Sequence, residues 1–118
     1  MKQLRWIASA KADLLAFPPE AVKEIGYALH LAQMGGKHKD AKPLKGFGGA
    51  GILEVVEDYD GDAYRAVYTV RFSNFIYVLH AFQKKSTSGI STPPKEIEKI
   101  KSRLKRAAEE YEKWRQEN

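Results

Sequence analysis

Asp60-Gly61, set between two runs of alternating character, constrains the fold of this chain more than any other feature. A two-residue connection of this type needs positive φ at both central positions, which Asp and Gly tolerate. The flanking runs, 51–59 (GILEVVEDY) and about 63–72, are therefore expected to pair antiparallel. A third run, 75–84 (FIYVLHAFQK), follows Ser73-Asn74 and extends the pair into a three-stranded meander.

Elements around the meander are helical, apart from one. Residues 2–8 (KQLRWIA) set Leu4, Trp6 and Ala8 against Arg5 and Ile7, which predicts a short strand. Ser9 precedes a helical turn over 10–17 that ends at Pro18-Pro19. A second helix starts at Pro19-Glu20, because proline suits the first helical position and acid the first turn. Its apolar stripe is Val22, Ile25, Ala28, Leu29 and Ala32, and Gly35-Gly36 stops it. Residues 37–50 read as a basic, glycine-rich connection and 86–94 as a polar loop. Pro93-Pro94 opens a last helix with Ile97, Ile100, Leu104, Ala107 or Ala108, Tyr111 and Trp114 on one face. Residues 115–118 are expected to fray. The class is α+β, in a single domain over 1–118. A small twisted antiparallel sheet, made of the N-terminal strand and the meander, is packed by two N-terminal helices and a C-terminal helix.

Composition narrows the function classes. The chain has 118 residues, no cysteine and a formal net charge of +5. Disulfides, cysteine-ligated zinc and thiol nucleophiles are excluded, and the cysteine usage fits a reducing cytoplasm. The basic excess favours polyanionic partners. No run approaches the length of a membrane span. Lys11 and Asp13 interrupt the early apolar residues, so residues 1–17 do not read as a secretory signal. The glycines of 46–51 precede a strand and lack a following Lys-Ser/Thr, so they do not form a phosphate-cradling loop before a helix. His30, His38 and His80 lack a metal-ligand context, so neither a metal nor another cofactor is expected.

Cations crowd the meander. Strand period two puts Arg65, Val67, Thr69 and Arg71 on one face, and Tyr64, Ala66, Tyr68, Val70 and Phe72 on the other. The aromatic face is expected under helices and the arginine face more open. Arg65 has two readings: an ion pair with Glu54 or Glu57, or a guanidinium fork for a phosphate. On the third strand Ile76, Val78, His80, Phe82 and Lys84 share a face by the same parity. His80 reads either as a satisfied, partly buried imidazole or as a proton-transfer group. Lys84 and Lys85 point to opposite faces unless the strand ends there. Lys37, Lys39, Lys42 and Lys45 suit phosphate contacts, or equally a solvated loop.

The pattern P-L-K-G-F-G (43–48), G-I-L-E-V (51–55), Y-R-A-V-Y (64–68), I-Y-V-L-H-A-F-Q-K-K (76–85) and T-P-P-K-E-I-E (92–98) resembles the HigB-like, phage-derived branch of the RelE/ParE toxin superfamily. The likeness runs across nearly the whole chain. It implies a RelE-like fold and a type II toxin that cuts mRNA on the ribosome, using the neighbouring 2′-OH and no metal. It implies a cytoplasmic site of action and a cognate helix-turn-helix antitoxin of HigA type. By resemblance, Arg65, His80, Lys84 and Lys85 are the catalytic candidates, with Lys37, Lys39, Lys42, Lys45 and Arg71 contacting RNA. Glu54 is a weaker candidate base. Some related toxins carry a tyrosine or an Asp-Tyr-His cluster near the last helix. Here Tyr111 and Trp114 fit the apolar stripe instead, and that group has no obvious match. Two alternatives remain: a ParE-like toxin of DNA gyrase, and a non-catalytic nucleic-acid-binding protein of phage origin.

Overall fold

A computed structural model describes residues 1–49, 51–84 and 91–118. The elements are β1 (Gln3–Trp6), α1 (Ala10–Leu15), α2 (Pro19–Gln33), β2 (Ala41–Pro43), β3 (Ile52–Tyr59), β4 (Asp62–Thr69), β5 (Phe75–Lys84) and α3 (Pro94–Glu117). The sheet has the order β1-β5-β4-β3-β2. β1 runs parallel to β5, and the other pairs are antiparallel. Asp60 and Gly61 both take positive φ, 52° and 86°, as the hairpin requires.

The α+β class and the meander are as the sequence predicts. β2 is an addition: the connection at 37–50 pairs its residues 41–43 with β3. Three residues are too few to show a period, and Pro43 is tolerated because β2 is an edge strand with no ladder on its outer side. β1 and β4 are shorter than read. Ala8 turns the chain with φ of 52° after β1. Beyond β4, the Thr69 hydroxyl donates to the Gly51 carbonyl and accepts the Arg71 N–H. α3 does not fray at 115; it continues through Glu117, where Asn118 donates its amide to the Trp114 carbonyl at 2.8 Å.

Both faces of the sheet are covered. Leu53, Val55, Tyr64, Ala66, Tyr68, Ile76 and Val78 pack against Ile25, Leu29 and Ala32 of α2 and Leu14 of α1. Ile52, Val67, Phe75, Tyr77, Leu79 and Phe82 pack against Ile100 and Ala107 of α3. The predicted apolar stripes thus supply both layers. Truncating fully buried Ile100 to Ala would cost roughly 2–5 kcal/mol. The expectation of an open arginine face fails for this reason. α3 lies across that face, and Arg65 is only 4% exposed.

Strict alternation also breaks on β5. Thr69 pairs with Tyr77 and Tyr68 with Val78, but Val67 pairs with His80, leaving Leu79 extra. This β-bulge shifts the parity by one residue. Before it, Ile76 and Val78 face α2; after it, Ala81 does. His80, Phe82 and Lys84 are moved to the α3 face, opposite Val67, Arg65 and Ala63. The predicted face shared by Ile76, Val78, His80, Phe82 and Lys84 is therefore split in two. Among the described residues, no helix is long and apolar enough to cross a membrane.

Candidate nucleic-acid cleavage site

The strand period positions the centre of the site. Glu54, Val56 and Asp58 alternate along one face of β3, and Ala63 and Arg65 lie on the same face of β4. Together with Lys42, Pro43, Leu44 and Lys45, with Ser91 and Thr92 just before α3, and with Ile97 in its first turn, they line a cleft of about 720 Å³. Its floor is the sheet and one of its walls is α3.

Arg65 is the buried charge at the heart of this cleft. Its Nη1 lies 3.2 Å from Glu54 Oε1 and 3.4 Å from Thr92 Oγ1. Thr92 donates in turn to Glu54 Oε2 at 2.7 Å. Both carboxylate oxygens are thus oriented, and the guanidinium is held against the strand. Glu54 has a side-chain exposure of 11% and Arg65 of 5%, so water screens this pair poorly. Pro93 restricts the Thr92 backbone, since a residue directly before proline is biased to extended conformations. Lys42 stands directly across the ladder from Glu54, and Lys45 lies beyond it. Both lysines are exposed and bring mobile positive charge to the cleft.

His80 sits on the same sheet face and is 3% exposed. Arg103 Nη1 donates to its Nδ1 at 3.1 Å, so the ring proton is on Nε2, which meets Glu96 Oε1 at 3.0 Å. The ring stacks on Phe82 at 4.9 Å between centroids. Burial lowers its pKa, and the Arg103 and Lys99 charges add to this against the opposing pull of Glu96. Arg103 also donates to the Leu79 carbonyl at the bulge and to Ser9 Oγ. The histidine therefore joins α3 to β5. It does not line the cleft with Arg65.

The remaining candidates separate. Lys84 donates to the Ser91 carbonyl at 3.3 Å, at the edge of the segment that supplies Thr92. Lys85 lies outside the described residues. Arg71 turns away from the cleft: Nη2 donates to the Phe47 carbonyl at 2.6 Å, and its side chain lies over Gly51. A Cβ on Gly51 would come within 2.5 Å of the Arg71 Cγ, so glycine is required for this closure. Lys37 donates to the Ala41 carbonyl at 2.7 Å, and Lys39 is solvated beside Asp40. Neither lines the cleft. Of the four lysines of 37–45, the structure brings only Lys42 and Lys45 to Arg65.

Asp58, Thr92, Glu96 and Arg103 were not singled out by sequence reasoning. Asp58 carried a usable signal, because it continues the Glu54–Val56 alternation on β3. Thr92 and Glu96 stood in the T-P-P-K-E-I-E motif without a role, and Arg103 carried no signal: all three act from a loop and a helix whose docking only the tertiary structure sets.

No curated protein matches the chain. A family model described as phage-derived protein Gp49-like matches residues 12–105. That span holds β3, β4, β5, Arg65, Glu54 and the first half of α3. The chain belongs to the phage-derived Gp49-like family, a family of RelE-like toxins associated with toxin–antitoxin pairs.

Proposed function

We propose that this protein is the toxin of a type II toxin–antitoxin pair, a HigB-like endoribonuclease that cuts mRNA on the ribosome in the cytoplasm. The observation that carries the reading is the buried Arg65, held by Glu54 and Thr92 at the floor of a cleft edged by Lys42 and Lys45. A scissile phosphate entering the cleft would meet a guanidinium fork matched to phosphate geometry. Its approach would exchange the Glu54–Arg65 pair for an Arg65–phosphate pair. Glu54 then becomes a carboxylate with no cation of its own, beside the nucleotide.

The chemistry follows from that exchange. Glu54 takes the proton of the 2′-OH, and the 2′-oxygen attacks phosphorus. Arg65 stabilises the charge of the phosphorane, with Lys42 and Lys45 holding flanking phosphates. The bond from phosphorus to the 5′-oxygen breaks, that oxygen takes a proton from water at the cleft mouth, and the proton held by Glu54 neutralises the hydroxide left behind. The products are a 2′,3′-cyclic phosphate and a 5′-hydroxyl. The nucleophile belongs to the substrate, so no metal is needed to generate it. His80 is assigned to docking α3, because both ring nitrogens are engaged. Lys84 supports the segment bearing Ser91 and Thr92.

A cognate helix-turn-helix antitoxin is part of the proposal. The test is induction of the wild-type chain with 5′-end mapping of cellular mRNA. Growth arrest with cuts inside translated codons is expected, and Arg65→Ala is expected to abolish both while still binding the antitoxin. Arrest without cuts, with inhibited DNA supercoiling, would move the assignment to a gyrase toxin. A fully toxic Arg65→Ala would remove the site.

A further inference from the structure

We infer that the first half of α3 carries a track for single-stranded RNA that continues out of the Arg65 cleft, a reading that rests on RNA being the ligand there. The helix is divided by charge. From 94 to 106 it exposes Lys95, Lys99, Lys101, Lys105 and Arg106 against one exposed carboxylate, Glu98. From 107 to 117 it exposes Glu109, Glu110, Glu112 and Glu117 against Lys113 and Arg115. Of these later residues, Glu112 and Arg115 pair with each other at 2.9 Å. The excess of positive charge is confined to the end of the helix that walls the cleft.

Helical geometry says which cations continue the cleft. Ile97 lines it, and Ile100 and Ala107 define the buried stripe. At about 100° per residue, Lys101 and Lys105 fall on the Ile97 side of that stripe. Glu96 and Arg103 fall on the other side, where they meet His80. Lys101 and Lys105 are one turn apart, about 6 Å along the axis, so each can meet a separate phosphate of one strand. Lys42 and Lys45 stand at the β2 edge of the same cleft. A strand crossing Arg65 from that edge would run out along Lys101 and Lys105. Glu98 shares their face one turn before Lys101, so it offsets part of the charge where the track leaves the cleft and Lys101 and Lys105 carry the remainder. Non-directional charge on flexible stems suits backbone contact without base readout, so the track adds affinity and register rather than sequence preference.

The experiment compares two double variants that remove the same two charges. Lys101→Gln/Lys105→Gln removes the track; Lys11→Gln/Lys23→Gln removes exposed lysines from α1 and α2 on the other side of the sheet. All four lysines are exposed, so both variants are expected to melt like wild type. The probe is a single-stranded 2′-O-methyl RNA, which cannot be cut through its 2′-oxygen, titrated from low to moderate salt. Each phosphate contact contributes about 0.7 to the slope of log K against log salt, so the track variant should lose about 1.4 and bind on the order of tenfold more weakly at 0.1 M salt. The control double should keep the wild-type slope. Equal losses in the two variants, or an unchanged slope at Lys101 and Lys105, would overturn the track. A wild-type chain that does not bind this RNA would also overturn it, whereas the cleavage reading stands or falls on mRNA cuts in translating cells.

Discussion

Glu54 and Glu57 are three residues apart on β3, so the pleat sends them to opposite faces of the sheet and into opposite chemistry. Glu54 meets a buried arginine and a threonine hydroxyl in a cleft fringed by lysines. Glu57 lies on the α2 face among acids. His38 is buried there, with Nε2 2.7 Å from Glu24, and its Nδ1 accepts the Asp40 N–H at 3.0 Å. The Glu57 pKa is pushed up to about 7, first by burial and then by its hydrogen bond to Asp40 and the charges of Asp40 and Glu24. One carboxylate is kept oriented among cations, and the other has its pKa raised by burial and by neighbouring carboxylates. Local sequence barely differs between the two; the difference comes from which helix lies over which face.

The comparison breaks first at Arg65. Arg65→Ala should lower cleavage by about a hundred- to a thousandfold, the usual loss for one donor to a developing oxyanion. Arg65→Lys should recover little, because an ammonium cannot reproduce the planar fork. Single-turnover cleavage on programmed ribosomes measures both.

Glu54→Gln is the next largest. Loss of the proton acceptor should cost about a hundredfold or more in rate, with RNA binding retained. Glu57→Gln should leave the rate alone. The reverse pattern would mean that the catalytic carboxylate had been placed on the wrong face.

A smaller effect concerns stability. Glu96→Ala or Arg103→Ala leaves His80 with a buried nitrogen that has lost its partner and should cost about 1–3 kcal/mol in urea denaturation. The pH dependence has a definite sign. The His80 pKa is lowered in the folded chain, so the unfolded chain binds the proton first. Its contribution is therefore intact above about pH 6.5 and lost as pH falls below that value.

Glu57 has the opposite sign. Its folded pKa of about 7 is above the ordinary carboxylate value of 4.5, so between the two the folded chain holds a proton that the unfolded chain has released. Stability from this group is present below about pH 4.5 and is lost as pH rises to 7. Glu57→Gln should therefore raise stability above pH 7 by about 1 kcal/mol, discounted for partial solvent screening. It should change little near pH 4. No stabilisation at pH 8 would show that the two faces of β3 are electrostatically alike.

Much of the frame was legible because it rests on short-range rules. Asp60-Gly61 dictated its hairpin, the prolines at 18–19 and 93–94 opened α2 and α3, and the stripe from Ile97 to Trp114 gave α3 its buried face. Arg65 was legible as a charge with two readings, and the structure realises the ion pair with Glu54 within a cleft that admits the other. β2 was not legible, because a three-residue edge strand has no period. Nor was the division of the lysines at 37–45, because His38 pins its loop to α2 through Glu24 while Lys42 and Lys45 follow β2 to the cleft.

The sequence by itself determined every element but β2, their order and the excess of cations on the meander, since propensity, turn chemistry and periodicity are local. Only the tertiary structure decided which cations share a side. By alternation alone His80 and Lys84 follow Val78 onto the α2 face, away from Arg65. The extra Leu79 opposite β4 shifts the parity and turns them toward α3, where Arg103 bonds the Leu79 carbonyl and His80 together. Period two holds only while every residue has a ladder partner, and whether one is skipped is settled by the neighbouring strand and the helix above it.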